Sequence, residues 1–337
     1  MALRLPFQGG PLVSPAVIVN YLRYKLRSDN PRLDLKTRPI ICTLVATVRC
    51  NLKCPFCIVP AAYDDSSWEE YEASVPKVIR ILDHPLARRA LYVGLTGGEP
   101  LMVDDLPGLV RLIRRRGHLC GVVTNGLLLG GQIRELKKSG LNVAAVSIYD
   151  LTLPRLQKIM PAVNSVFRCR ANKILTRGEV ENRQGFLEEV IRFSRDGGFL
   201  GLYFGNFLPQ GTGTTDEVIY EDHPACADFR KRMTAKYAPF PIYWPKPHKR
   251  NIGPGDKKCR LPWYYIIVGM TGNLGLCNQH MPPPDGRYGN LFASSAAESV
   301  NHPSRLNMRL RIKAADGDVP EPCLGCPIMG DDWHAAY

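Results

Sequence analysis

Short apolar and β-branched runs alternate with amphipathic stretches of helical length through the first two thirds of the chain. The runs fall at 40–48, 90–96, 120–124, 142–148, 166–171 and 200–207. Each has the length and residue types of a strand buried on both faces. Between them, 106–117 and 131–140 carry apolar residues at helical spacing, and the second ends on a glycine. Six strands joined by helical crossovers predict an α/β fold with a largely parallel sheet, arranged as an incomplete β/α barrel. Near residue 239 the rhythm stops. Residues 239–255 are rich in proline and glycine and read as a linker or extended arm. Beyond them lies a cysteine-bearing tail in which "RLPWYYIIVGMTGNLGL" reads as a β-hairpin turning at "MTGN".

Within strand five, period-2 alternation puts Phe167, Cys169 and Ala171 on one face and Arg168, Arg170 and Asn172 on the other. The apolar face belongs under helices, so the arginines are expected to point inward, where an anion offsets their burial. A salt-bridged strand end is the plainer alternative for both. In strand four, Ser147 and Tyr149 are expected inward, opposite Ala144, Val146 and Ile148.

Composition adds three constraints. The chain has 337 residues, enough for one large domain and a smaller one without disulfide staples. No apolar run approaches membrane-spanning length, and the N-terminus lacks the pattern of a cleaved leader, so a cytoplasmic protein is expected. The formal charge of +13 invites a nucleic-acid partner, but the basic residues are scattered, with no aromatic-interleaved basic module, which argues against that reading.

Most of the eleven cysteines sit in clusters of the kind that bind metal. Cys50, Cys54 and Cys57 form a CxxxCxxC group in "RCNLKCPFC". A set of buried free thiols is the alternative, though so tight a cluster speaks against it. Zinc wants four ligands, and no fourth Cys or His is near in sequence. Three thiolates can hold three corners of a [4Fe–4S] cubane and leave one iron open for an added ligand. Phe56 puts an aromatic face beside that group. Downstream, "TGGEP" (96–100) ends strand two, "TNG" (124–126) ends strand three and "VSIYD" (146–150) ends strand four. Ligands of parallel barrels bind at the C-terminal strand ends. The two glycines let backbone approach a ligand closely, and Glu99 with nearby carbonyls can receive an ammonium.

This combination resembles the radical S-adenosylmethionine (AdoMet) enzymes. The resemblance implies a partial (β/α)6 TIM-like barrel over 40–238, preceded by an extension at 1–39 and followed by a linker at 239–258. It implies an AdoMet-binding [4Fe–4S] cluster on Cys50, Cys54 and Cys57. AdoMet would meet Phe56 at its adenine and Gly97, Gly98, Glu99 and Pro100 at its amine. Thr124 and Asn125 would contribute at the third strand end, Ser147 at the ribose and Arg170 at the carboxylate. In such enzymes the cluster's electron splits AdoMet and a 5′-deoxyadenosyl radical takes hydrogen from substrate. A reductant such as flavodoxin or ferredoxin is implied. Arg168, Tyr149 and Cys226 are the candidates for direct work on substrate. Cys226 would serve as a hydrogen donor, against a plain reading as a helix-buried thiol.

The hairpin brings Cys259 and Cys277 together, and Cys323 with Cys326 completes four thiolates over 259–337. Spacing alone does not separate zinc from an iron–sulfur cluster. The arrangement resembles the twitch domain, a shortened SPASM domain of hairpin plus helix, which implies one auxiliary [4Fe–4S] cluster. A full SPASM pattern has further cysteines after the CxxC, and none follow here. Cys42 and Cys120 read as core residues. A fully ligated second cluster favours net oxidation of a small polar substrate (sugar, aminocyclitol or nucleoside), as in the twitch-bearing dehydrogenases of natural-product biosynthesis. The rival reading is a maturase or epimerase of ribosomal peptides. From a different class, an iron–sulfur electron carrier or nucleic-acid-binding protein would lack the open-iron loop and its strand ends.

Overall fold

The structure, a computed structural model, describes residues 13–27, 39–63, 65–208, 216–250, 257, 259–277, 280–314, 318–324, 326 and 329. Parts of the expected extension, the linker and the last residues therefore lie outside the described residues. Eight strands form one sheet: β1 (Ile41–Thr47), β2 (Tyr92–Gly97), β3 (Leu119–Thr124), β4 (Val143–Ser147), β5 (Arg170–Leu175), β6 (Leu202–Asn206), β7 (Ile242–Tyr243) and β8 (Tyr265–Gly269). Their order is β7-β6-β5-β4-β3-β2-β1-β8, every neighbouring pair is parallel, and β7 does not meet β8. The α/β fold is that of a partial TIM-like barrel, left open along one side.

The pattern of the chain explains the covering layer. In the helix Leu106–Arg115, Leu106, Leu109, Val110 and Ile113 recur at helical spacing and are buried. Asp105 caps it by accepting from the Gly108 amide at 2.8 Å, and a proline occupies its first turn. On β1, Cys42, Leu44 and Ala46 face the helices and belong to the main core, while Val45 joins a second cluster with Val59, Tyr63, Tyr71 and Ile267. Cys42, Cys120 and Cys169 are buried, and burial pushes each thiol up to about 12. They are core residues.

One expectation needs correcting, and two gain detail. Strand five begins at Arg170 rather than 166, because the preceding helix runs on to Val166. The two-residue β7 lies inside the segment read as a linker. The hairpin exists, with Gly269 N donating to Asn273 O and Gly275 N to Ile267 O, but its first arm is β8, paired with β1. The sheet thus runs across the expected boundary at 259. Among the described residues, no helix is long and apolar enough to cross a membrane.

Candidate active site

The chain leaves β1 into the cysteine loop, and a half-buried polar brace fixes its exit. Thr47 Oγ1 donates to the Glu72 carboxylate, and the Arg49 amide donates to Thr47 Oγ1 at 3.0 Å. The Arg49 guanidinium pairs with Glu72, donates to Met102 O at 3.0 Å and lies 4.2 Å above the Trp68 ring. Its bond to Glu72 holds the guanidinium above its usual pKa. Beyond the brace, Cys57 N donates to Cys54 O at 3.1 Å, closing a tight turn around Pro55 and Phe56. Cys50 is exposed, whereas Cys54 and Cys57 are half-buried. Burial, then the charges of Cys57 and Cys50, push Cys54 up to about 11. The three thiols are therefore close enough to repel one another once ionised.

The glycine motif packs onto this loop. Gly98 N donates to Thr47 O and Glu99 N to Arg49 O, both at 2.7 Å. Gly97 has φ of +124°, and a Cβ there would stand 2.2 Å from Thr47 O. A Cβ on Gly98 would stand 2.0 Å from Arg49 O. Both glycines are thus required by the backbone that leads into Cys50. This gives the glycines a reason besides the expected one, close approach to a ligand.

Glu99 is 1% exposed. Its carboxylate accepts from Thr124 Oγ1 at 2.6 Å, Asn125 N at 2.7 Å and Leu101 N at 3.0 Å. Burial raises its pKa and these three bonds oppose the rise. Glu99 therefore ties the second strand end to the third, and three donors of the chain already occupy the group expected to receive an ammonium. Asn125 Nδ2 donates to Asn51 Oδ1 at 2.7 Å, and its side chain also bonds Cys50. Glu99→Gln would set an amide NH2 against one of these donors, at a cost of about 1–3 kcal/mol. A lower thermal midpoint with weakened AdoMet binding is expected, by melting and equilibrium dialysis. An unchanged melt would show that the carboxylate is not holding the loop.

Strands four and five supply the opposite wall. Ser147 stands across from Asn172 in the ladder and hydrogen-bonds Tyr149. Tyr149 packs against Phe56 with ring centroids 4.9 Å apart, and burial pushes its phenol up. It therefore joins β4 to the cysteine loop. The Arg170 guanidinium lies 4.4 Å above the Tyr203 ring, which stacks on Tyr243 at 4.1 Å. Arg170 Nε and Asn172 Oδ1 are buried without a hydrogen-bond partner. Arg168 does not join them. It precedes β5, at the end of the strand away from the cysteines, and donates to Gly198 O and Phe199 O. The expected inward placement of Arg168 is corrected to a strand-entry contact. Cys226 sits on the helix Pro224–Lys236 and lines a cavity of about 530 Å³ with His223, Arg230 and Trp244. None of the AdoMet-type residues lines that cavity.

In the tail, burial pushes the Cys323 and Cys259 thiols up, and nearby cysteines add to it: Cys277, Cys259 and Cys326 at Cys323, and Cys277 and Cys326 at Cys259. The four expected thiols have converged, with Cys326 N donating to Cys323 O at 3.1 Å. Sequence reasoning missed the Glu72 brace and the buried Arg305, whose surroundings in the chain look like ordinary solvated charge. Among the described residues, no three Cys, His, Asp or Glu side chains close around a single metal ion. A cubane spreads its thiolates over a larger tetrahedron. Three thiols on one loop suit a cluster with an open iron, and four suit a closed centre. The unpartnered Arg170 Nε and Asn172 Oδ1 suit a polar ligand between them.

Comparisons with known proteins agree with this geometry. Residues 44–181 match the Radical SAM superfamily. GTP 3′,8-cyclase of Aquifex aeolicus (strain VF5) is 26% identical over 198 residues, spanning 53% of this chain and only 60% of that protein. GTP 3′,8-cyclase of Edwardsiella ictaluri (strain 93-146) is 24% identical over 264 residues, 69% of this chain and 78% of that one. The crystal structure of Streptococcus suis SuiB bound to precursor peptide SuiA has a TM-score of 0.64 at 17% identity, covering 92% of this chain and 73% of that chain. That likeness is one of fold. The three thiols gathered where the first strand ends lie within the stretch, residues 44–181, that is similar to the Radical SAM superfamily.

Proposed function

We propose that the chain takes a hydrogen atom from a small polar substrate of nucleoside, sugar or aminocyclitol type and oxidises it, using AdoMet and two [4Fe–4S] clusters. When bound, the first cluster supplies the electron that cleaves AdoMet to a hydrogen-abstracting radical, and the second accepts the electron a C–H(OH) carbon gives up after losing a hydrogen atom and a proton. Cys50, Cys54 and Cys57 hold the first group, and Cys259, Cys277, Cys323 and Cys326 the second. The Phe56–Tyr149 pair flanks the adenine, Ser147 faces the ribose and Arg170 receives a carboxylate. Tyr203 and Tyr243 wall the site and exclude water. Thr124 and Asn125 keep the loops in register through Glu99.

The observation that carries oxidation is the convergence of the four tail cysteines in a chain that already has a three-cysteine loop. Two relatives whose names place their chemistry on GTP favour a nucleoside-type substrate. The fold likeness to a protein crystallised with a precursor peptide favours a second reading, peptide modification.

Anaerobic reconstitution should give about eight irons per chain, with 5′-deoxyadenosine formed on adding reductant and AdoMet. Deuterated nucleosides, aminocyclitols and a precursor-type peptide then compete as donors. Deuterium in 5′-deoxyadenosine and a product two hydrogens lighter identify an oxidised small molecule. Label transfer from the peptide alone would establish the second reading. About four irons and one zinc would remove the electron acceptor and oxidation with it.

Cys277→Ala is expected to cut the iron from about eight to about four per chain. Uncoupled AdoMet cleavage survives while product is lost. Full turnover with half the iron would overturn the role given to the second centre.

A further inference from the structure

The helix Pro303–Lys313 turns two arginines one helical turn apart into the protein. Arg305 is 2% exposed and Arg309 is 0% exposed. Arg309 Nη2 donates to Val300 O at 2.8 Å and Asn301 Oδ1 at 3.0 Å. Arg305 is the one that reaches the cysteine hairpin. Its Nη1 donates to Gly275 O, two residues before Cys277, and its Nε is buried without a partner. Among the described residues no carboxylate pairs with it. A guanidinium carries its charge at neutral pH, and this one is held beside the hairpin arm that bears Cys277.

A buried, unpaired guanidinium is costly unless an anion compensates it. Here the neighbouring group that can become anionic is a ligand thiol. Four thiolates around a cubane leave the centre with net negative charge, and that charge grows by one on reduction. A fixed positive charge in a low-dielectric setting stabilises the more negative state further. The guanidinium is also tied to the hairpin arm that carries Cys277, which fixes its distance from the centre.

We infer that Arg305 is a positioning residue for the four-cysteine centre: its buried charge offsets the thiolates and raises the midpoint potential, making the centre an electron acceptor. This rests on the reading of those cysteines as a [4Fe–4S] site. The reducing electron comes from the substrate carbon, whose hydrogen atom passes to the AdoMet-derived radical and whose hydroxyl proton passes to water.

The test uses the full-length chain carrying Cys54→Ala, so that only the second centre titrates, with iron, sulfide and zinc counted before EPR-monitored redox titration. About four irons in that background sustains the underlying reading, and zinc or no iron there overturns that reading by itself. Arg305→Met should then retain iron and shift the midpoint down by about 59 mV or more, a tenfold loss in the one-electron reduction equilibrium. Arg305→Lys, which keeps the charge, should restore most of that shift. An unchanged midpoint in the iron-loaded methionine variant would overturn the inference. Should that variant fail to load iron, the lysine variant decides. A midpoint near that of the parent supports the charge, and a tenfold loss overturns it.

Discussion

Cys54→Ala is expected to abolish AdoMet cleavage in a protein that still folds. The loop offers three thiols for four iron corners, so removing one leaves two, too few to retain a cubane. Cys54 is the middle cysteine, half-buried between Cys50 and Cys57, with the turn around Pro55 and Phe56 closing on its carbonyl. Because burial and the neighbouring thiolates push it up to about 11, the loop holds this proton at neutral pH until metal displaces it. The side chain therefore adds little to stability in the metal-free chain, and circular dichroism and the melting midpoint should stay close to wild type. Iron should fall from about eight to about four per chain, and 5′-deoxyadenosine should fall below detection with reductant and AdoMet present. Wild-type 5′-deoxyadenosine from a folded variant would remove the cysteine loop from the chemistry. The contrast with Cys277→Ala matters. Both variants lose half the iron, and only the loss at the first loop should silence cleavage.

How much of this could be read from the chain depends on how local each feature is. β1 to β4 and β6 follow from apolar runs whose neighbours are helical, because burial on both faces leaves a continuous hydrophobic signature. The helix Leu106–Arg115 follows from its stripe and its Asp105 cap. The start of β5 did not. Phe167 and Cys169 are as apolar as a strand interior, but the helix before them continues to Val166, and tertiary packing decides such boundaries. β7 is two residues between prolines, and only the Tyr203–Tyr243 stack marks it. The hairpin was legible, whereas the parallel pairing of its first arm with β1 spans more than two hundred residues and leaves no trace in the local pattern.

The site divides along the same line. Cys50, Cys54 and Cys57 are neighbours in sequence, so their spacing alone was enough to propose a shared site. Cys259, Cys277, Cys323 and Cys326 needed only the hairpin and a CxxC to be assembled. What residues do across space was harder to see. Glu99 reads as a free acceptor until Thr124, Asn125 and Leu101 are found on it. Alternation put Arg168 and Arg170 on one face, and the structure separates them, because Arg168 lies before the strand begins. Arg305 looks like one more cation in a basic helix, and only its burial beside Cys277 sets it apart.

Gly98→Ala is the second substitution with a large expected effect, and it decides why the glycines are there. Gly98 lies against the chain entering the cysteine loop, and a methyl group would meet Arg49 O at 2.0 Å and Val48 C at 2.9 Å. These are backbone atoms, fixed by the Glu99 N–Arg49 O bond and by the Arg49–Glu72 brace, so no side chain can swing away. Overpacking of this kind costs about 1–3 kcal/mol or more, and the strain falls on the residue before Cys50. The first cluster should be lost or loaded poorly while the four tail cysteines keep about four irons. Gly131, in the helix Leu129–Lys138, is the control: a Cβ there meets nothing within 4 Å, and Gly131→Ala should be neutral or slightly stabilising. If the glycine instead made room for AdoMet, Gly98→Ala would load iron normally and lose AdoMet affinity alone. Iron content and AdoMet dialysis on the same preparation separate the two. Full iron with weak AdoMet binding would return the motif to its ligand, and lost iron at the first loop would assign it to the architecture of the cysteine loop.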